Sequence, residues 1–222
     1  MSRAAVIVFP GSNCEHDAVS GLELAGASAE LVWHTETDLS GYDLVVLPGG
    51  FAHGDYLRAG ALARLSPIMD TVAAFAASGG PVVGICNGFQ VLTEAGMLPG
   101  ALQKNAHLKF HCKDSTLIVA SSRSVLTRGV AVGTELSIPI NHFSGSYVCD
   151  AATLQRLHDN DQVVLRYAEN PNGSLDDIAG ISNDAGNVVG LMPHPERACS
   201  ALLGSTDGLV LLQAFVGAAV SA

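Results

Sequence analysis

The 222-residue chain predicts an α/β fold: an open, mostly parallel sheet with helices on both faces and antiparallel additions near residues 101–150. Three observations lead there. Short apolar runs alternate with longer mixed segments of helical spacing, the order expected of βαβ units. The stretch from about 101 to 150 is richer in β-branched residues and turns, which points to antiparallel strands at one edge. Glycine-rich or proline-rich loops directly follow three of the apolar runs, at the strand ends where open α/β sheets gather their chemistry.

In chain order, Ala4 to Phe9 reads as a strand and Glu15 to Ala27 as the helix after it. Leu44 to Leu47 is the second strand and Leu57 to Ala77 the second helix. Pro81 to Ile85 is a third strand, followed by the helix-like stretch Phe89 to Glu94. Beyond the middle region, Leu117 to Ala120, Val163 to Tyr167 and Val188 to Met192 continue the strands, and Thr206 to Ala219 reads as a closing helix starting near Asp207. No internal linker interrupts the series, so residues 1–222 read as a single domain long enough to bury a substantial core.

Composition narrows the function. The net charge of −10, with no run of Lys or Arg, excludes a phosphate-backbone binder and an anionic-membrane binder. Only 14% of residues are charged, against about 25% in ordinary soluble domains, so part of the surface is expected to lie against a partner. The start of the chain lacks a signal-peptide pattern, and the apolar stretch Leu209 to Val220, broken by Gln213 and Gly217, is too short to span a bilayer; a cytoplasmic protein is expected. Five cysteines, odd in number and never spaced C-x-x-C, argue against a disulfide framework and a structural zinc site. His107 and His111 could share a helix face, but no carboxylate completes a metal shell there, and no metal is expected.

The chemistry is expected at Gly84-Ile85-Cys86-Asn87-Gly88, between a strand and a helix. A tight turn there holds the middle side chain strained and exposed, with glycines on both sides making room for it. The helix after it aims free N–H groups and its positive dipole end at the sulfur, which favours the reactive thiolate. An inert core thiol is the competing reading of the pentapeptide alone. A second element comes late, in Pro193-His194-Pro195-Glu196: the prolines force extended backbone, so His194 and Glu196 point to the same side, and the carboxylate can hold the imidazole in one tautomer. The alternative is a surface histidine beside a solvated charge. A third element, Gly49-Gly50-Phe51, could aim a backbone N–H of Gly50 or Phe51 at a developing oxyanion, with the Asn87 N–H as the other donor; an ordinary glycine turn is the alternative.

Gly-Ile-Cys-Asn-Gly-Phe-Gln (84–90), Pro-Gly-Gly-Phe (48–51) and Pro-His-Pro-Glu-Arg (193–197), in this order, resemble the class I (triad) glutamine amidotransferases. Val8 to Cys14, Gly54 to Arg58, Asn170 to Ser174 and Met192 to Arg197 are similar, within that class, to the small glutaminase subunits of phosphoribosylformylglycinamidine synthase in purine biosynthesis, and the likeness runs nearly end to end. The resemblance implies L-glutamine as substrate, Cys86 as nucleophile, His194 as proton carrier and Glu196 as its orienting partner. It also implies a substrate contact at Gln90, for which a helix-surface polar residue is the alternative. The partners it implies are a synthase subunit, which uses ATP and Mg²⁺, and a small third subunit; no cofactor is implied in this chain. One segment departs from the pattern: where the family carries Pro-Ile-Ala-His-Gly-Glu-Gly, this chain has Pro139-Ile140-Asn141-His142-Phe143-Ser144-Gly145, without the glutamate. Asn141 and Phe143 resemble instead the loop of other triad amidotransferases that approaches the glutamine. A stand-alone cysteine hydrolase or stress protein on the same elbow fold lacks the Pro-His-Pro-Glu arrangement, and a non-catalytic interaction subunit would not need Cys86, His194 and Glu196 together.

Overall fold

A computed structural model describes residues 1–219; Val220, the last residue of the C-terminal apolar stretch, lies outside the described residues. Nine strands form one sheet. They are β1 (Arg3–Val8), β2 (Ser28–Trp33), β3 (Leu44–Leu47), β4 (Val82–Ile85), β6 (His111–Val119), β7 (Glu135–His142), β9 (Val163–Tyr167), β10 (Ile178–Ser182) and β11 (Val188–Leu191). Their order across the sheet is β2-β1-β3-β4-β11-β10-β9-β6-β7. The first five run parallel to one another and the last four pairings are antiparallel. The antiparallel wing is thus broader than the expected 101–150 region, because β9 and β10 belong to it. Two further strands, β5 (Ala101–Lys104) and β8 (Ser144–Val148), form a small separate antiparallel sheet.

The parallel centre forms for the usual reason. Leu44–Leu47 and Val82–Ile85 are buried at every position, so both faces of the sheet are covered and alternation disappears from the sequence. Five α-helices surround it: α1 (Glu15–Leu24), α2 (Ile68–Ala77), α3 (Asn87–Glu94), α4 (Ala151–Asp159) and α5 (Asp207–Ala218). Helix α1 packs on β1, β2 and α5, and α3 on β3, β4 and β11. A Cβ at Gly88 would collide with the Leu47 carbonyl, so only glycine lets α3 approach β3 this closely. None of the described helices is long and apolar enough to cross a membrane.

Two helices are shorter than the sequence suggests. The expected 57–77 helix is α-helical only from Ile68, with a single 3-10 turn at Ala63–Leu65 before it: Leu57 and Gly60 take positive φ (69° and 80°), and Ser66, which precedes Pro67, is extended at ψ 141°. Proline's ring excludes the α region for the residue before it, which places the boundary there. Helix α1 stops at Leu24, before the expected Ala27, because Gly26 turns left-handed at φ 98° and its N–H bonds back to the Glu23 carbonyl.

Candidate active site

Cys86 sits between the end of β4 and the first residue of α3, with φ 50° and ψ −102°, a conformation costly for any residue with a Cβ. It is held there from both sides: its N–H donates to the Leu191 carbonyl of β11 at 2.7 Å and its carbonyl accepts the Gln90 N–H at 3.2 Å. The flanking glycines are a steric requirement, since a Cβ at Gly84 would lie 2.6 Å from the Gly88 backbone. The elbow does not stand exposed as the sequence suggests. Cys86 is only 5% exposed, because the 139–145 segment folds over it and the Asn141 carbonyl lies 3.8 Å from Sγ. The thiol reaches solvent through a cavity of about 150 Å³, lined also by His194, Gly50, Phe51 and Gln90.

His194 enters from the end of β11, and its N–H is anchored to the Pro139 carbonyl at 2.8 Å. Its Nδ1 lies 2.6 Å from Glu196 Oε1, and both side chains are 1% exposed. A carboxylate accepts only, so Nδ1 carries a proton, while Nε2, which meets no hydrogen-bond partner in the protein, is left for the sulfur side of the site. Burial, the largest single influence, opposes charge on this imidazole. The negative charges of Glu196 and Cys86, with the sulfurs of Cys14 and Cys86 close to the ring, outweigh it, so the His194 pKa stands well above the ordinary histidine value. An imidazolium held beside a sulfur and backed by a carboxylate is the arrangement that activates a nucleophile.

The oxyanion donors divide. The Phe51 N–H is engaged by the Gly11 carbonyl at 2.9 Å, because the glycine loop pairs with the loop after β1. Phe51 is therefore corrected as a donor, and the candidates are the Gly50 N–H and the Asn87 N–H in the first turn of α3. Gly50 has φ 151°, and a Cβ there would lie 2.7 Å from Ser12 Cα. Gln90, Asn141 and Phe143 all line the cavity. The Gln90 amide is tied to the protein, donating to the Ser144 carbonyl at 2.6 Å and accepting from Asn87 Nδ2 at 3.0 Å. Phe143 also lines a larger outer groove of about 710 Å³ that adjoins the cavity.

Residues 1–207 match the CobB/CobQ-like glutamine amidotransferase domain. The chain belongs to this glutamine amidotransferase family. It is 55% identical over 215 residues to the phosphoribosylformylglycinamidine synthase subunit PurQ of Lacticaseibacillus casei, covering 96% of this chain and 94% of that one. It is 56% identical over 209 residues to the same-named subunit of Parasynechococcus marenigrum, covering 94% and 96%. A solved structure of PurLQS from Thermotoga maritima contains a chain that superposes with a TM-score of 0.90 at 44% identity, covering 97% of this chain and 98% of that one.

Three residues lining the cavity escaped sequence reasoning: Cys14, Asp55 and His142. Cys14 follows β1 at the same rim as the other loops, a position that could have signalled it. Its Sγ lies 3.2 Å from an Arg197 guanidinium nitrogen and within 4.8 Å of ligand atoms of His194 and Glu196. The three could be read as a metal cluster, but a guanidinium against the sulfur disfavours a second cation. His142 is buried, its Nδ1 is bonded to Asn105 Oδ1 at 3.1 Å, and burial with the positive charge of His194 pushes its pKa down to about 3. It stays neutral at any working pH.

Gly49 separates these groups. A Cβ there would lie 2.8 Å from His194 Cε1 and 3.0 Å from Cys14 Sγ. Gly49→Ala is expected to push the imidazole off line and lower kcat by about 10²-fold, as sub-ångström misplacement does, while leaving a folded protein by circular dichroism. Unchanged steady-state glutamine hydrolysis would show that the imidazole has room to shift.

Proposed function

We propose that this chain is the glutaminase subunit of a phosphoribosylformylglycinamidine synthase. In this reading Cys86 Sγ attacks the side-chain carboxamide carbon of L-glutamine, and His194 takes the thiol proton and delivers it to the leaving nitrogen. The carbon–nitrogen bond breaks, ammonia departs, and a glutamyl thioester remains on Cys86. Water, deprotonated through His194 Nε2, then cleaves the thioester to glutamate and restores the thiol. Glu196 orients His194 throughout. The N–H groups of Gly50 and Asn87 hold the oxyanion, where one donor contributes about 10²–10³ in rate. The observation that carries the reading is the strained Cys86 elbow meeting the buried His194–Glu196 pair at one cavity.

Ammonia then passes to a synthase subunit, which uses ATP and Mg²⁺ to amidate formylglycinamide ribonucleotide, with a small third subunit assisting in the cytoplasm. Support for a partner comes from the surface. Tyr56, Leu57, Leu108 and Phe110 are exposed apolar residues, and Leu57 and Leu108 line the outer groove beside the cavity. The free chain is expected to hydrolyse glutamine slowly and the synthase subunit to accelerate it, since ammonia released without a receiving site is wasted. The double variant Leu57→Asp, Leu108→Asp is expected to weaken association with the synthase at least about tenfold in gel filtration or titration calorimetry. A free chain as fast as the complex, or association untouched by both substitutions, would overturn the partner reading.

A further inference from the structure

Among the described residues, Asp55 is the only acidic one that lines the reaction cavity, and it lines the outer groove as well. The two spaces also share Phe143 and Ser144, so these three residues mark the outer end of the cavity, while Cys86 and His194 belong to the inner cavity alone. A glutamine whose amide carbon meets Cys86 must therefore direct its amino-acid end toward Asp55. We infer that the Asp55 carboxylate binds the α-ammonium group of glutamine and thereby distinguishes the amino acid from other primary amides, an inference that rests on the glutaminase reading.

The loop is built to hold this carboxylate in place at a conformational cost. His53, Gly54, Asp55 and Leu57 all take positive φ (51°, 68°, 54° and 69°), a run that residues with side chains rarely adopt and that persists only where surrounding contacts impose it. Those contacts come from the catalytic elbow. The Ala52 N–H donates to Asn87 Oδ1 at 3.0 Å, and Asn87 Nδ2 reaches Asp55 Oδ1 at 3.4 Å and Gln90 Oε1 at 3.0 Å. Asn87 is the residue next to the nucleophile, so the spacing between the thiol and the carboxylate is set by one side chain.

Asp55 has no cation of its own. The nearby Arg58 is spent on Glu94, with both of its bonded nitrogens on that carboxylate at 2.5 and 2.6 Å, and among the described residues no basic side chain forms an ion pair with Asp55. Its one polar partner is the neutral Asn87 amide at a long distance. Burial accordingly pushes the Asp55 carboxyl up to about 6, against the opposing hydrogen bond from Asn87. A half-buried carboxylate without a counter-charge is an incomplete site, and an ammonium group completes it. Gln90 Oε1 and the Ser144 carbonyl each already accept a hydrogen bond, from Asn87 and from Gln90, and neither carries the charge that matches an ammonium group.

The test compares glutamine with glutaric acid monoamide, which has the same reactive amide but no α-amino group, using the complex with its synthase subunit. Wild-type complex is expected to favour glutamine by about 10²-fold or more in kcat/KM, since a site that pairs a charged group rejects the analogue lacking it. Asp55→Asn keeps the shape and suits a left-handed backbone. It is expected to raise KM for glutamine about 10- to 100-fold, to change kcat less, and to bring the two amides within a few-fold of each other. Loss of activity toward both amides in equal proportion would mark Asp55 as merely structural and overturn the inference. So would a variant that retains the full preference for glutamine, or one that hydrolyses glutamine normally while losing ammonia to the medium, which would assign Asp55 to the product's exit. Asp55→Glu, which retains the charge, is expected to recover part of the preference; no recovery in a folded variant counts against a charge interaction. Wild-type complex that turns over neither amide would refute the glutaminase reading itself, a result distinct from all of these.

Discussion

Cys86→Ser is expected to abolish glutamine-dependent synthesis by the complex while leaving ammonia-dependent synthesis intact. The substitution changes one atom and keeps the volume, so the elbow at φ 50°, tied to Leu191 and Gln90, should form as before. What is lost is nucleophilicity: a hydroxyl gives up its proton far less readily than a thiol, and the paired imidazolium and sulfur anion that His194 and Cys86 can form has no oxygen counterpart at neutral pH. The loss in glutaminase kcat should reach at least about 10⁴-fold, the order seen when a triad nucleophile is removed. Radiolabelled 6-diazo-5-oxo-norleucine, a glutamine-like alkylator, followed by peptide mapping, locates the reactive sulfur independently. Cys14 is the instructive competitor, since its sulfur too lies within 4.8 Å of a His194 ring nitrogen and lines the same cavity. Cys199 should stay silent, because burial and the Glu196 charge push its thiol up to about 11 and its S–H is engaged with the Pro195 carbonyl. Label on Cys14, or loss of the ammonia-dependent reaction in Cys86→Ser, would mean that Cys86 is structural.

The elements legible in the sequence are those whose neighbours hardly matter. Leu44–Leu47 and Val82–Ile85 are apolar throughout because both sheet faces are covered, and no partner strand need be known to read them. β2 was missed because it is an edge strand: Glu30, Leu31 and Trp33 are exposed and only Val32 is buried, so neither a continuous run nor a clean alternation survives. The site divides in the same way. Cys86 is readable because the glycines beside it dictate the backbone locally; His194 and Glu196 do meet, but Pro195–Arg197 forms a 3-10 turn instead of the expected extended backbone, since a proline is tolerated in the first helical turn. Cys14 and Asp55 owe their places to long-range order: β1 lies beside β3 and carries Cys14 to the rim of the glycine loop, and Asp55 is positioned by Asn87, 32 residues later in the chain. The Phe51 expectation failed for that reason too. Successive glycines indicate that an N–H can turn inward, but which one remains free depends on the Gly11 carbonyl supplied from another strand end.

Glu196→Gln should separate orientation of the imidazole from its charge. The variant keeps size and hydrogen-bonding capacity but removes the negative charge that holds His194 Nδ1 protonated at 2.6 Å. A kcat about 10³- to 10⁴-fold lower is expected, with KM for glutamine changed little, because the wrong tautomer and a weakened imidazolium affect the transition state more than binding. Stability should respond with a definite sign. In the wild type the folded-state pKa of His194 is raised, so its charged form contributes stability that is full below the unfolded value of about 6.5 and is lost as pH rises through the higher folded value. Without the carboxylate, burial is the dominant influence left and it lowers the pKa, so folding favours the neutral ring and stability falls as pH drops through about 6.5. Other titratable groups around the ring are Cys14, Cys86 and His142, with the fixed charge of Arg197 beside Cys14. His142 remains neutral over this range, and Arg197 would add to the repulsion of an unpaired imidazolium. The thermal midpoint of Glu196→Gln relative to wild type should therefore drop much further at pH 5 than at pH 8, a contrast readable by calorimetry. An equal drop at the two pH values would mean that His194 is not charged in the resting enzyme and receives the thiol proton only as the sulfur attacks.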